Sequence, residues 1–180
     1  MKKIILSIAL IFSVMCSLGA QDMQHKATIW GCKSDGVTDN TGSIQRAIDW
    51  ISENGGGTLY FYVGRYLTGS FQLKDNVKIS LGEGAVLVAS TNYYDYKGAP
   101  ALVWAKDAKN VGIIGLGVIE GRHEALSKQI KDQQAKGYLH EGVSLPSLYS
   151  FENCTEVTVS DTIRLLEDTA KSTRYQKPVK

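Results

Sequence analysis

The stretch that decides the fold reads GCKSDGVTDNT, residues 31–41, and it runs directly into an amphipathic segment. Asp, Asn, Ser and Gly cluster in this stretch, and the side-chain oxygens of Asp and Asn hold neighbouring backbone N–H groups in tight turns. Gly36 suits a turn that needs a positive φ. We interpret the motif as structural: it builds the entry to a helix and carries no chemistry.

The segment that follows is predicted to be a helix with one apolar face, from about Thr41 to Glu53. Its apolar residues fall at i, i+3, i+4 and i+7, the spacing of a single helical stripe. They are Ile44, Ala47, Ile48 and Ile51. Asp39, Asn40 and Thr41 are candidates for the N-cap. The glycines at 55–57 end the helix and permit a left-handed C-cap.

Beyond these glycines the hydrophobic period changes to two, which indicates strands. The strand candidates are Thr58–Phe61, Tyr66–Thr68, Val77–Ser80, Val86–Ala89, Leu102–Ala105, Val111–Ile114, Val118–Glu120, Leu148–Phe151 and Val157–Val159. Turns with Gly, Asn and Asp separate them. No second amphipathic helix alternates with these strands before Gly121, which argues against a doubly wound α/β sheet.

The chain also repeats itself loosely. Val77, Val111 and Val157 each follow a polar turn and begin an alternating stretch, at spacings of 34 and 46 positions. Uneven spacing of this kind is typical of a solenoid whose coils carry loops of variable length. The first coil of a solenoid leaves an open edge that invites aggregation, and we expect the helix at 41–53 to cover it.

Two stretches depart from the repeat. Residues 122–138 are polar, with Leu126 and Ile130 at i and i+4, and we predict a helical excursion between coils. From residue 164 the alternation stops and no closing coil is recognisable. We therefore expect repeat coils over 21–163 and a divergent tail over 164–180, outside the repeat pattern.

The first 20 residues have the order of a secretory signal peptide. Lys2 and Lys3 are followed by an apolar run over 4–18 and then by small residues. A membrane anchor is the alternative, but the run is short for a span of about 20 residues. A lipoprotein signal would need small residues just before Cys16. We expect export to the periplasm or the extracellular space, with no transmembrane span after cleavage.

Composition and charge are ordinary for one globular domain of 180 residues, with 43% hydrophobic and 21% charged residues. The formal net charge of +2 disappears when Lys2 and Lys3 leave with the signal. Without a basic patch, nucleic acid is not an expected partner, and we expect a monomer. Cys32 and Cys154 do not make a disulfide framework. They could pair in an oxidising compartment, or lie buried as small hydrophobes.

These motifs resemble the pectate-lyase superfamily, and within it glycoside hydrolase family 28, the polygalacturonases. The opening motif and IQRAI at 44–48 are shared by hydrolases, lyases and phage tailspikes. Further matching blocks are GGGTLYF at 55–61, GRYLTG at 64–69, LGEGAVL at 81–87, DAKNV at 107–111, GLGVIEG at 115–121 and FENC at 151–154. The later blocks, and 90–96, favour the hydrolases. The match runs from about Ala27 to Ile163. It implies an all-β, right-handed parallel β-helix, C-terminally incomplete in this chain.

The resemblance also implies an activity: hydrolysis of galacturonan or a related acidic plant polysaccharide, such as pectin, without a cofactor. Family 28 resembles the inverting scheme, in which one carboxyl group protonates the leaving oxygen and another activates water. The family's Asn-Thr-Asp block, Asp-Asp pair, His-Gly pair and Arg-Ile-Lys block do not occur in this sequence. In the family they follow the coil matching Asn153-Cys154. We therefore assign no catalytic, cofactor-binding or metal-binding residue, and expect a truncated chain that is inactive alone.

Weaker candidates have plain structural alternatives. Asp95, within the aromatic stretch 93–96, could lie near a sugar ring, but such a loop could equally pack on the solenoid wall. His123-Glu124 and His140-Glu141 match no standard zinc spacing. The cations that could meet galacturonate carboxylates are Lys33, Arg65 and Lys78.

Two other function classes remain open on the sequence. A non-catalytic β-helix could bind polysaccharide or form part of an adhesin or tailspike. A calcium-dependent pectate lyase would need a cluster of carboxylate ligands, and the sequence shows no such cluster.

Overall fold

A computed structural model describes residues 23–160, 162–166 and 174–175. The predicted signal peptide at 1–20 lies outside these residues. The strands form three sheets in which every assigned pairing is parallel. Each coil contributes one strand to each sheet, which is the architecture of a parallel β-helix.

Strand order within the sheets follows the coils. The first sheet contains β1 (Gln24–Lys26), β2 (Gly57–Phe61), β5 (Val77–Leu81), β8 (Gly112–Gly115) and β11 (Thr158–Val159). The second sheet contains β3 (Gly64–Thr68), β6 (Ala85–Ala89), β9 (Val118–Glu120) and β12 (Arg164–Leu166). The third sheet contains β4 (Phe71–Gln72), β7 (Ala101–Lys106), β10 (Ser147–Glu152) and β13 (Arg174–Tyr175).

The register confirms the repeat read from the sequence. In the first sheet Leu59 pairs with Ile79, and Ile79 pairs with Ile113. All three side chains are fully buried. Equivalent inward positions of successive coils therefore lie on top of one another in one narrow core. Each fully buried aliphatic side chain contributes roughly 1.5–3 kcal/mol to the stability of the fold.

Helix α1 (Thr41–Glu53) covers the first coil, as predicted, and its four stripe residues are fully buried. The helix ends where Gly55 takes a φ of 100°, and the Gly56 N–H donates to the Ile51 carbonyl at 2.8 Å. Asn40, one of the three N-cap candidates, occupies the N-cap position. Its side chain makes no capping hydrogen bond, because its amide is buried and bonds elsewhere.

The segment before α1 covers the edge of the second sheet. The Gly36 N–H donates to the Arg65 carbonyl at 2.8 Å, and the Asn40 N–H donates to the Leu67 carbonyl at 2.9 Å. Strand β1 covers the first sheet in the same way. The motif at 31–41 therefore has the structural role predicted for it: it satisfies backbone groups that the first coil would otherwise expose.

One corner of the solenoid carries the irregular loops. The connection from the second to the third sheet uses residues 69–70 in the first coil, 90–100 in the second and 121–146 in the third. This corner accounts for the uneven spacing of the repeat, and its loops lengthen from the first coil to the third.

The longest of these loops contains α2 (His123–Ala135), which confirms the predicted helical excursion. Leu126 and Ile130 are buried on its inner side. The loop of the second coil lies against it, since the Tyr93 N–H donates to Gln129 Oε1 at 3.2 Å. The two loops thus support each other beside the third sheet.

The boundary predicted at Ile163 is corrected by the pairing of the next residues. Strand β12 pairs with β9, and Leu165 lies opposite the fully buried Ile119. The flanking Leu166 is exposed. Because an outward leucine follows an inward one, the alternation is not visible in the sequence. The pairing with β9 shows that the coil pattern continues beyond residue 163.

Candidate functional site

The outer face of the third sheet forms the floor of a groove. Gln72 pairs with Trp104, and Trp104 with Ser150, so three outward side chains form a row across the coils. All three are half-buried, while the adjacent Phe71 and Phe151 are buried in the core. Alternation along each strand therefore presents one polar–aromatic row to the outside.

The lengthened corner forms one wall of the groove. Residues 94–100 of the second coil border a cavity of about 530 Å³, which also contains Trp104 in its lining. Ser144 and Leu145 of the third coil border a second cavity of about 220 Å³ above Ser150. Pro100 lines both cavities, so they adjoin along the same face.

Helix α1 closes the groove at one end. The larger cavity, which we call the lid-end pocket, is lined by Asp39, Thr41, Gly42, Gln45, Ser70, Phe71, Gln72, Tyr94, Asp95, Tyr96, Lys97, Gly98, Ala99, Pro100 and Trp104. Gln45 fixes the helix to the floor, since its side-chain amide hydrogen-bonds both backbone groups of Gln72. The pocket is therefore held between the helix, the floor strands and the loop.

The aromatic stretch 93–96 divides its side chains between wall and pocket. Tyr96 is 2% exposed, and its hydroxyl donates to the Ser90 carbonyl at 2.8 Å. Burial, with the Asp95 carboxylate beside it, raises the pKa of Tyr96, so the phenol remains a donor. Tyr94 is 49% exposed and lines the pocket. The packing interpretation of this stretch therefore holds for Tyr96, and Tyr94 is the ring that stays accessible in the pocket.

Lysines on the opposite rim of the groove are paired. Three rim ion pairs, with N···O distances of 2.8–3.2 Å, join Lys74 to Asp49, Lys106 to Glu152 and Lys109 to Glu156. The hydrogen bond that Lys106 donates to Glu152, together with the negative charge of that carboxylate, raises the pKa of Lys106. Exposed pairs of this kind stabilise by only about 0–1 kcal/mol, but they leave little free positive charge. Lys97 lines the lid-end pocket and makes no ion pair with another residue in the described part of the chain.

The carboxylates at the groove are each engaged by a neighbouring group of the protein. Asp39 accepts the Thr41 N–H at 2.9 Å, Asp95 accepts the Ser90 hydroxyl, and Glu152 pairs with Lys106. Glycoside hydrolysis needs an acid and a base that face the scissile bond. The geometry is suited to binding and orienting a polar ligand, and no carboxylate of these three is held ready for proton transfer.

The cations singled out in the sequence lie away from this groove. Arg65, on β3, binds both oxygens of Glu120 on β9, at 2.9 and 3.0 Å. Lys78 belongs to the first sheet, and Lys33 precedes α1. The groove residues Gln72 and Trp104 were missed, although Trp104 occupies an outward position of an alternating strand, which was the available signal.

The histidines form no metal site in the part of the chain that the structure describes. His123 is buried at the start of α2, and its Nδ1 has no hydrogen-bond partner. His140 is exposed. No group of three or more His, Cys, Asp and Glu side chains in the described ranges could hold a metal ion. In the same ranges, no helix has the length and apolar character needed to cross a bilayer.

No family model matches the chain. A crystal structure of a candidate glycosyl hydrolase from Parabacteroides merdae is 46% identical, with a TM-score of 0.80, and the match covers 84% of this chain and 68% of that one. The Exo-poly-alpha-D-galacturonosidase of Dickeya chrysanthemi is 34% identical over 126 residues, 59% of this chain but 21% of that protein.

The structure of the Family 28 Exopolygalacturonase of Yersinia enterocolitica has a TM-score of 0.67 at 22% identity, over 81% of this chain and 35% of that one. It supports the predicted right-handed parallel β-helix. This chain spans only part of the length of these relatives. It belongs to the glycosyl hydrolases, and it is similar to polygalacturonases.

Proposed function

We propose that this chain is the part of a polygalacturonase-type hydrolase that holds the polysaccharide, and that the polysaccharide is galacturonan or a related acidic plant polymer. The observation that carries the proposal is the row formed by Gln72, Trp104 and Ser150 along the third sheet. Neighbouring strands lie about 4.8 Å apart, so the row extends about 10 Å along the solenoid axis. An extended groove of this kind suits a polymer.

The relatives support this substrate class. The name of the Dickeya chrysanthemi protein states that it acts on polygalacturonate. Aromatic and amide side chains on a rigid sheet, flanked by a wall of loops, provide the mostly apolar surface with a few polar groups that ligand sites use.

We further propose that these coils bind and orient the polymer while the acid and base of hydrolysis lie elsewhere. Inverting enzymes place two carboxyl groups about 6.5–9.5 Å apart around the scissile bond. Here Asp39, Asp95 and Glu152 are engaged by neighbouring side chains. This also favours the alternative of a non-catalytic polysaccharide-binding role for the chain alone.

Affinity electrophoresis tests the binding role. The chain should be retarded in a gel that contains polygalacturonate, relative to a gel without it. Ser150→Trp fills the groove floor and should remove the retardation. Lys78→Trp, an outward position of the first sheet, should leave it unchanged. Equal retardation of both variants would place binding elsewhere.

The catalytic part of the proposal has its own measurement. Purified chain should release no reducing ends from polygalacturonate above a no-protein control. Release well above that control would show that the acid and base are present in this chain.

We also propose that the protein is exported, because its first 20 residues have the basic, apolar and small-residue order of a signal peptide. N-terminal sequencing of protein from its host should begin near Ala20 or Gln21. Recovery of intact Met1 from soluble cytoplasmic protein would contradict export.

A further inference from the structure

The lid-end pocket has more negative than positive charge. Its charged lining residues are Asp39, Asp95 and Lys97. The nearby rim lysines Lys74 and Lys106 are each neutralised by a carboxylate. A uronic acid residue in this pocket would bring another negative charge close to two carboxylates, and like charges at short range oppose binding.

The pocket is nevertheless built to hold a ring with hydroxyl groups. Trp104 and Tyr94 line it, and aromatic rings offer large apolar faces that pack on the C–H face of a pyranose. Asp39 uses Oδ1 for both of its hydrogen bonds from Thr41. Neither Asp39 Oδ2 nor the side-chain amide of Gln72 has a hydrogen-bond partner among the described residues. A sugar hydroxyl can donate to the former and accept from the latter.

The walls of the pocket are pre-organised. Gln45 bonds the Gln72 backbone, the Gly69 N–H donates to Thr41 Oγ1 at 2.6 Å, and Tyr96 bonds the Ser90 carbonyl. Helix, floor and loop are thus held in place before a ligand arrives, which lowers the cost of ordering side chains on binding.

We infer that the lid-end pocket binds an uncharged pyranose residue. The inference rests on the proposed function, because it assumes that the groove holds a polysaccharide. It refines the substrate to a mixed polymer, with neutral sugar units reaching the lid end and uronic acid units elsewhere. In this arrangement the ring packs on Trp104, and Asp39 Oδ2 and the Gln72 amide meet its hydroxyls.

Calorimetric titration with two oligosaccharides tests the charge preference. Oligogalacturonide and its full methyl ester have the same rings, and differ in charge. The ester should bind about fivefold tighter, as expected for removing one like-charge contact at the surface. Asp39→Asn retains the Oδ1 acceptor and removes one negative charge. The difference in affinity between the ester and the free acid should therefore be smaller for this variant.

Two variants locate the site. Trp104→Ala should weaken ester binding at least about tenfold, equivalent to about 1.4 kcal/mol. Lys78→Ala, outward on the first sheet, should bind as wild type does. Circular dichroism should show that both variants are folded.

Several results would overturn the inference. Equal or tighter binding of the free acid would make the pocket a uronate site. Unchanged ester binding by folded Trp104→Ala would place the sugar elsewhere. If wild type binds neither oligosaccharide but is retarded by polygalacturonate in the gel, the pocket inference fails and the proposed function stands. If it is not retarded either, both fail.

Discussion

The side chain of Gln45 pairs with the backbone of Gln72 as a neighbouring strand would. Its Nε2 donates to the Gln72 carbonyl at 3.1 Å, and its Oε1 accepts the Gln72 N–H at 2.8 Å. Strand β4 begins the third sheet, so no earlier coil lies beside it. A helical glutamine therefore completes the edge that the first coil leaves open.

Gln45→Ala should lower the free energy of unfolding by about 1–3 kcal/mol, because it leaves partly buried backbone groups without partners. Urea denaturation measures this. Glu53→Ala, at an exposed position of the same helix, should change stability by less than about 0.5 kcal/mol. A Gln45→Ala protein as stable as the Glu53→Ala control would show that water can hydrogen-bond the Gln72 backbone groups instead.

Ile48 tests the packing of α1 on the first coil. The side chain is fully buried, so Ile48→Ala should cost about 2–5 kcal/mol through lost burial and the cavity left behind. Ile29 is 76% exposed, and Ile29→Ala should cost less than about 0.5 kcal/mol. Similar melting of the two variants would contradict a buried stripe.

Asp35 should make stability depend on pH in acid. Hydrogen bonds from the Thr38 hydroxyl and N–H and from the Val37 N–H lower the pKa of Asp35 to about 2. A carboxyl whose folded pKa is below its ordinary value of about 3.9 stabilises the fold above that ordinary value, and the contribution is lost as pH falls through the folded value.

The measurement compares wild type with Asp35→Asn from pH 6 to pH 2, by denaturation at each pH. Their difference in unfolding free energy should be constant above about pH 5 and shrink between about pH 4 and pH 2. Thr38→Val removes the hydroxyl donor, so this acid-dependent part should be smaller in that background. Parallel curves for wild type and Asp35→Asn across the range would refute the role of Asp35.

Cys32 and Cys154 should be unreactive free thiols. Both are buried and unpaired, and burial raises the pKa of Cys32 to about 11, with the charge of Arg46 opposing it. Thiolate is the reactive form. Peptide mapping after alkylation at about pH 8 should therefore find neither residue labelled until denaturant is added. A cross-linked Cys32–Cys154 peptide from native protein would contradict the structure.

The sequence predicted those parts of the fold that depend on local periodicity. The stripe containing Ile48 and the repeat beginning at Val77 and Val111 follow from burial on one face of a helix or strand. Asn40 shows what local periodicity does not predict. Its amide donates to the carbonyls of Lys33, Thr38 and Leu67. One of these partners belongs to the next coil, so an apparent helix cap is a link across the solenoid.

The candidate site was predictable only in part. The aromatic stretch around Asp95 was noticed, but Trp104 and Gln72 were not. An outward residue on a solenoid strand becomes a site only when a loop from another coil forms a wall beside it. Which loop lies beside such a residue depends on how the coils stack in three dimensions. The local sequence around Trp104 or Gln72 does not determine it.

The corner between the second and third sheets also bears on how such proteins diversify. Its connections differ greatly in length, yet strands on both sides keep their pairing. Doubling a flexible loop costs only about 0.6 kcal/mol in closure entropy. Recombination or engineering can therefore exchange a loop here between distant homologues. The new loop would form a different wall beside the unchanged floor of the groove. Glycan selectivity can therefore change while the β-helix scaffold stays the same.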